Sequence, residues 1–237
     1  MPIKDALQYL VDLGEAKLHE IGGRTYSTKG LHHMTSPQAE TLHVNTLSGL
    51  TDYILSEFDK EALGNVLAHV ASPFEVSLIS DINQDRMREI YITAKALSPN
   101  FAFERYYDLE NFNIKLQSCF AVNEDTAQLL RLVSNVKDFS GKQYGDDGIS
   151  QQVTAKTGIA TVEDIRVPNP VILAPYRTFI EVEQPISKFV FRMRKSGEHV
   201  ECALFEADGG AWKIEAMKNI KLYLQERLEG TSIKVIS

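Results

Sequence analysis

Residues 187–210 read SKFVFRMRKSGEHVECALFEADGG, two alternating segments separated by Ser196-Gly197-Glu198. Successive side chains of an extended chain point to opposite faces, so Phe189, Phe191 and Met193 share one face while Lys188, Arg192 and Arg194 share the other. Val200–Glu206 resumes the pattern after the glycine, and Asp208-Gly209-Gly210 closes it, which predicts an antiparallel hairpin. Alternation of this kind belongs to a sheet with one face on a core and the other toward water.

Working outward toward the C-terminus, Trp212–Leu228 has helical spacing with Ile214, Met217, Ile220 and Leu224 on one stripe, and Ile233–Ile236 reads as an edge strand. Toward the N-terminus, Phe179–Glu183 alternates and reads as a further strand. The stretch Ser140–Pro175 is dense in turn residues, among them Tyr144-Gly145-Asp146-Asp147-Gly148 and Val167-Pro168-Asn169-Pro170, with room for short strands between them. Two helices precede it. Asp108 is placed to cap one, with Leu109, Phe112, Leu116 and Phe120 on a single face, and Asn123 caps the next, which carries Ala127, Leu130, Leu132 and Val133.

Further upstream, Val66–Ala71, Phe74–Ser80 and Met87–Leu97 are rich in β-branched and aromatic residues, with the polar run Asp81–Asp85 between the last two, and predict a hairpin or meander. Leu47, Leu50, Ile54, Leu55 and Phe58 form a helical stripe capped by Asn45 or Thr46. Ile3, Leu7, Leu10 and Val11 mark a first helix ended by Gly14 or by Gly22-Gly23, and Arg24–Glu40 has no clear period and reads as an extended polar arm or loop. The expected fold is α+β, a mostly antiparallel sheet with four to five helices. The expected division is an N-terminal helix and arm over residues 1–41 and a single α+β domain over 42–237. A long β arm beside a long helix is also the plan of capsid-type shell subunits, an analogy at the level of fold alone.

Composition bounds the partners. At 43% hydrophobic and 24% charged, the 237 residues match an ordinary globular chain. No apolar run reaches the roughly 18 residues of a membrane span, and Met1–Leu10 has no signal-like block, so a soluble cytoplasmic protein is expected. Net charge is −7, and the acidic excess is N-terminal: 10 basic against 16 acidic residues over 1–120, then 15 against 16 over 121–237. A surface that grips duplex nucleic acid throughout needs a dense set of cations and is not expected here. Cys119 and Cys202 are isolated and read as small core hydrophobes.

Four phrases carry a resemblance. Asp146-Asp147-Gly148-Ile149-Ser150-Gln151, Pro175-Tyr176-Arg177-Thr178-Phe179, Glu183-Gln184-Pro185 and Leu204-Phe205-Glu206-Ala207-Asp208-Gly209-Gly210 resemble the YfdQ-like family of phage and prophage proteins, over roughly residues 42–228. The resemblance implies a viral origin and expression in a bacterial host cytoplasm. That family has no assigned activity, so it implies no catalytic residue.

The residues themselves offer few chemical candidates. His32-His33 are adjacent, which sends their side chains to opposite faces of a strand, whereas two helical metal ligands need a spacing of three or four. Asp146-Asp147 could hold Mg²⁺, but Asp-Asp-Gly is more simply a turn. Glu181 and Glu183, with Arg177 and Lys188 nearby, could form a nuclease-like carboxylate cluster, and the plainer reading is a solvated strand face. No phosphate loop, nucleophile elbow or HExxH motif occurs, so no cofactor or metal is expected and the chain leans away from an enzyme.

Lys188, Arg192, Arg194 and Lys195, interleaved with Phe189 and Phe191, could place phosphate contacts beside stacking rings and so bind single-stranded DNA, although any half-buried strand looks alike. The expected function is therefore a phage-encoded, non-enzymatic protein that assembles with copies of itself into a ring or shell, its polar arm and strands covered by neighbours. The alternatives are an accessory factor of phage DNA replication or recombination using the 188–195 strip, and a counter-defence protein binding a host factor or a nucleotide signal.

Overall fold

A computed structural model describes residues 3–30, 38–61, 63–84, 86–138, 151–157, 161–167 and 169–237. His32-His33, Asp146-Asp147 and the first of the four phrases, apart from Gln151, lie outside them. The chain divides into two compact units, Met1–Gln38 and Ala39–Ser237.

The first unit holds helix α1 (Ile3–Gly14) and a hairpin of β1 (Leu18–Ile21) with β2 (Arg24–Ser27). Gly22 and Gly23 turn the hairpin with φ of +60° and +73°, a left-handed pair that only glycine adopts without strain. The glycine pair is therefore a strand turn and not a helix stop, and Arg24–Ser27 is a paired strand and not part of the expected arm or loop. Lys17 N–H donates to the Thr28 hydroxyl at 2.9 Å and fastens the open end. Every described side chain of α1, β1 and β2 except the half-buried Asp12 is exposed.

The second unit has two five-stranded sheets, each with its own core. One sheet contains β3 (Leu42–Val44), β4 (Val66–Ser72), β5 (Glu75–Ser80), β6 (Ile90–Lys95) and, near the C-terminus, β15 (Lys234–Ile236). β4, β5 and β6 form the expected antiparallel meander, while β3 joins β6 and β15 joins β4 in parallel at the two edges. Helix α2 (Leu47–Leu55) contributes Leu47, Leu50 and Ile54 to the core of this sheet. The Thr46 hydroxyl accepts the Gly49 N–H at 3.0 Å as N-cap. A Cβ on Gly49 would lie 2.9 Å from that hydroxyl, so any other residue there displaces the capping side chain. The helix ends before Phe58, which is 83% exposed and not part of the stripe.

The other sheet is antiparallel throughout, in the order β7 (Tyr107–Asp108), β14 (His199–Glu206), β13 (Ser187–Ser196), β12 (Val171–Pro175), β8 (Phe120–Ala121). β13 and β14 form the predicted hairpin. Ser196 pairs His199 across a two-residue turn, where Gly197 supplies a φ of +63°. Phe189, Phe191 and Met193 face the core. Beneath them pack α3 (Leu109–Cys119) and α4 (Glu124–Asn135), capped by Asp108 and Asn123, which accept the N–H groups of Asn111 and Thr126 at 2.8 Å each. The buried face of α4 is Thr126, Leu129, Leu132 and Val133, which keeps Leu132 and Val133 of the predicted stripe and replaces Ala127 and Leu130, both half-buried, by their preceding neighbours.

Phe101 and Phe103 turn into the second core, where Phe101 meets Phe120 edge-on at 4.9 Å and Phe103 stacks on Phe189 at 5.2 Å. β9 (Val136–Asp138), β10 (Gln151–Thr157) and β11 (Thr161–Val167) make a separate antiparallel ribbon. The long helix α5 (Ala211–Arg227) buries Trp212, Ala216, Ile220 and Leu224, while Ile214, expected on the stripe, is 75% exposed. The Trp212 ring, held edge-on to Phe74 at 5.9 Å, sets the rotation of the helix. The described residues are thus α+β, with five helices and mainly antiparallel sheets. Among them no helix is long and apolar enough to cross a membrane.

Candidate functional site

Residues 176–186, between β12 and β13, are not the strand that the alternation of Phe179–Glu183 predicts; they form an irregular strap. Phe179 and Val182 leave the sheet of β12 and enter the core of the other sheet. The Thr178 hydroxyl donates to the Pro73 carbonyl in the turn between β4 and β5. Gln184 staples the strap to itself: its amide nitrogen donates to the carbonyls of Phe179 at 2.9 Å and Val182 at 3.0 Å, and its oxygen accepts the Arg177 N–H at 3.1 Å.

Arg177 is the charged centre of this region and is 7% exposed. Its guanidinium donates to Glu206 at the end of β14 and to the Ser187 hydroxyl, and it lies 3.8 Å from Asp208 Oδ2. The group sits over the Trp212 ring at 4.0 Å, with the Phe189 and Phe103 rings at 5.6 and 5.9 Å. Burial lowers the Arg177 pKa, against the opposing charges of Glu206 and Asp208. Burial pushes the Asp208 carboxyl up, but hydrogen bonding to Ser187 and Gly210 N–H and the Arg177 charge outweigh it and hold Asp208 below its ordinary value. Three buried polar atoms meet here without a hydrogen-bond partner among the described residues: Arg177 Nε, Asp208 Oδ2 and Trp212 Nε1.

Three of the four quoted phrases therefore converge on one place, as a structural junction. Pro175–Phe179 supplies the arginine, Glu183-Gln184-Pro185 the stapling amide, and Leu204–Gly210 the two carboxylates. Sequence reasoning did not single out this junction. One signal could have found it: an arginine inside the apolar run Ala174–Phe179 must be paired if the run is buried.

The supposed carboxylate cluster is taken apart by the same strap. The Glu181 side chain reaches α2, accepting the N–H groups of Leu47 at 2.8 Å and Ser48 at 2.7 Å, so it neutralises the positive end of that helix. Glu183 is exposed, and its backbone carbonyl accepts the Asn219 amide at 3.0 Å. Among the described residues no group of three or more His, Cys, Asp or Glu side chains is arranged to hold a metal.

The basic strip is brought together in part. Lys188 and Arg194 are exposed and Arg192 half-buried on the outer face of β13, whereas Lys195, by alternation, belongs to the face of Met193. Arg194 is occupied: its Nε donates to Glu201 on β14 at 2.7 Å and its guanidinium covers the Tyr106 ring at 3.7 Å. Phe189 and Phe191 are fully buried and offer no stacking platform.

Comparison with protein-family models, curated proteins and solved structures found no match to this chain.

Proposed function

We propose that the chain is a non-enzymatic subunit that assembles with copies of itself into a ring or shell, with the N-terminal unit as the connecting element. The observation that carries this reading is that no described residue of the first unit is buried. Ile3, Leu7, Leu10 and Val11 line α1 at helical spacing and are each more than half exposed, as are Leu18 and Ile21 on the hairpin. A lone two-stranded hairpin is marginal in water, and a 12-residue helix is too short to persist alone. Covering each of the four α1 side chains would contribute about 1.5–3 kcal/mol, and a neighbouring subunit can supply the cover. The outermost strands of the five-stranded sheets, β3, β15, β7 and β8, are only two or three residues long, so they give little template for edge pairing.

The charged residues near the junction are committed to holding the strap, which supports a structural role. The resemblance to phage and prophage proteins supports expression from a viral gene in the cytoplasm of a bacterial host. Sedimentation of the full chain tests the reading. The wild type sediments as a defined oligomer, and Leu7→Asp combined with Leu10→Asp dissociates it while Trp212 fluorescence, which reports the second unit, stays unchanged. A wild-type monomer at micromolar concentration, or a double variant that assembles normally, overturns it.

A further inference from the structure

A cleft of about 300 Å³ opens where β4 begins, β5 ends and β15 lies alongside. Its polar lining includes Arg88, Lys234, Asp81, Asn65 and Ser232, and Val66 and Leu67 form part of its wall. Arg88 is oriented by a hydrogen bond from Nη1 to the Ser80 carbonyl at 2.8 Å, which leaves the rest of its donor fork to other acceptors. Neither Arg88 nor Lys234 has a carboxylate within ion-pair distance among the described residues, so the cleft presents two cations that no described carboxylate neutralises at close range. The Asp81 carboxylate accepts the Asn65 amide at 3.3 Å within the same lining, and a carboxylate has capacity for further donors.

We propose that this cleft binds a small sugar phosphate. A phosphomonoester dianion matches a guanidinium fork beside an ammonium group, the pairing that gives charge-assisted, partly bidentate hydrogen bonds. Asp81 and Asn65 supply the acceptors and donors that sugar hydroxyls require, and Val66 and Leu67 cover the carbon skeleton. The cleft has space for more than a phosphate group alone. Among the described residues no aromatic ring lines it, so they offer no surface on which a nucleobase would stack, and this favours a sugar phosphate over a nucleotide. The site does not depend on the assembly reading.

Equilibrium dialysis of the full chain against radiolabelled ribose 5-phosphate tests the assignment, with inorganic phosphate and unphosphorylated ribose as the other probes. Ribose 5-phosphate binds saturably, in the millimolar range or tighter, and more weakly as salt rises; ribose alone does not bind. Arg88→Gln combined with Lys234→Gln weakens binding by about tenfold or more, and Asp81→Asn weakens ribose 5-phosphate while leaving inorganic phosphate unchanged. All three positions are exposed, and unchanged unfolding by Trp212 fluorescence confirms that the variants are folded. Absence of binding, or binding unaffected by the double variant, refutes the site. Inorganic phosphate binding as tightly as ribose 5-phosphate refutes the sugar component.

Discussion

Arg177→Ala is the sharpest test of the junction between the two sheets. The substitution removes the cation that faces Asp208, whose side chain is 11% exposed, and Glu206, whose side chain is 37% exposed. Deleting one partner of a buried ion pair costs about 3–5 kcal/mol, chiefly because the remaining charge stays desolvated. The penalty falls on Asp208, since solvent screens the Glu206 pair and limits its share to about 1 kcal/mol. A cation desolvated over an indole adds up to about 2 kcal/mol, which lifts the loss above the lower end of the range. Against a typical total of about 5–15 kcal/mol, a loss of ~4 kcal/mol is large. With a urea dependence of ~2 kcal/mol per molar, the midpoint moves down by ~2 M. The assay is urea unfolding followed by fluorescence of Trp212, the chain's single tryptophan and the ring beneath Arg177. Glu206→Gln serves as the internal comparison, with an expected loss of about 1 kcal/mol. An Arg177→Ala midpoint within ~0.5 M of wild type, or a Glu206→Gln loss as large as that of Arg177→Ala, would refute the assignment of the penalty to a buried Asp208.

Glu181→Ala removes the carboxylate from the first turn of α2 and is expected to cost about 1–2 kcal/mol, with faster amide exchange at Leu47 and Ser48; exchange unchanged at both would contradict the capping role. Asp108 is held below its ordinary value of 3.8, first by the backbone N–H of Asn111 and then by the Asn111 side chain. A lowered carboxyl pKa contributes stability above the unfolded value that is lost as pH falls through the folded one, so Asp108→Asn should flatten the decline in stability between about pH 5 and pH 2, measured by thermal melts. Burial pushes the Cys202 thiol up to about 12, so a disulfide reagent at about pH 8 should leave it unlabelled in the native protein and label it after unfolding; rapid native labelling would mean that β14 opens readily.

Much of the fold was legible because its signals are local. Gly197 between two alternating runs specified the β13–β14 hairpin, and Thr46, Asp108 and Asn123 each stood immediately before a helix whose N–H groups they accept. The misread elements depend on distant partners. Phe179–Glu183 alternates as a strand does, yet Phe179 and Val182 are drawn into the other core and Glu181 to a helix 134 residues away, which no local pattern encodes. Ile214 fits the helical stripe as well as Trp212 does, and contact of the Trp212 ring with Arg177 and Phe74 decides between them. The same distance effect hid the candidate cleft, whose Arg88 and Lys234 lie 146 positions apart in sequence and meet only because β15 pairs with β4.

The polarity of the junction is itself informative, because burying an arginine and a carboxylate is an expensive way to hold two layers together. Well-packed apolar side chains often match or exceed such a group in stability by about 1–4 kcal/mol. We therefore hypothesise that the junction fixes the course of the strap more than it adds stability, since directional hydrogen bonds select one arrangement where an apolar cluster would accept several. The strap has one sensitive reporter: Glu181 reaches the α2 amides only if residues 177–184 hold their path. Replacing Arg177, Asp208 and Glu206 together with Met, Leu and Leu removes the charges without leaving one stranded. The expected result is a urea midpoint at or above that of wild type, accompanied by faster amide exchange at Leu47 and Ser48 as Glu181 loses its fixed position. If both amides keep wild-type protection in that variant, the strap is positioned by Phe179 and Val182 in their core, and the charged junction contributes nothing to its path.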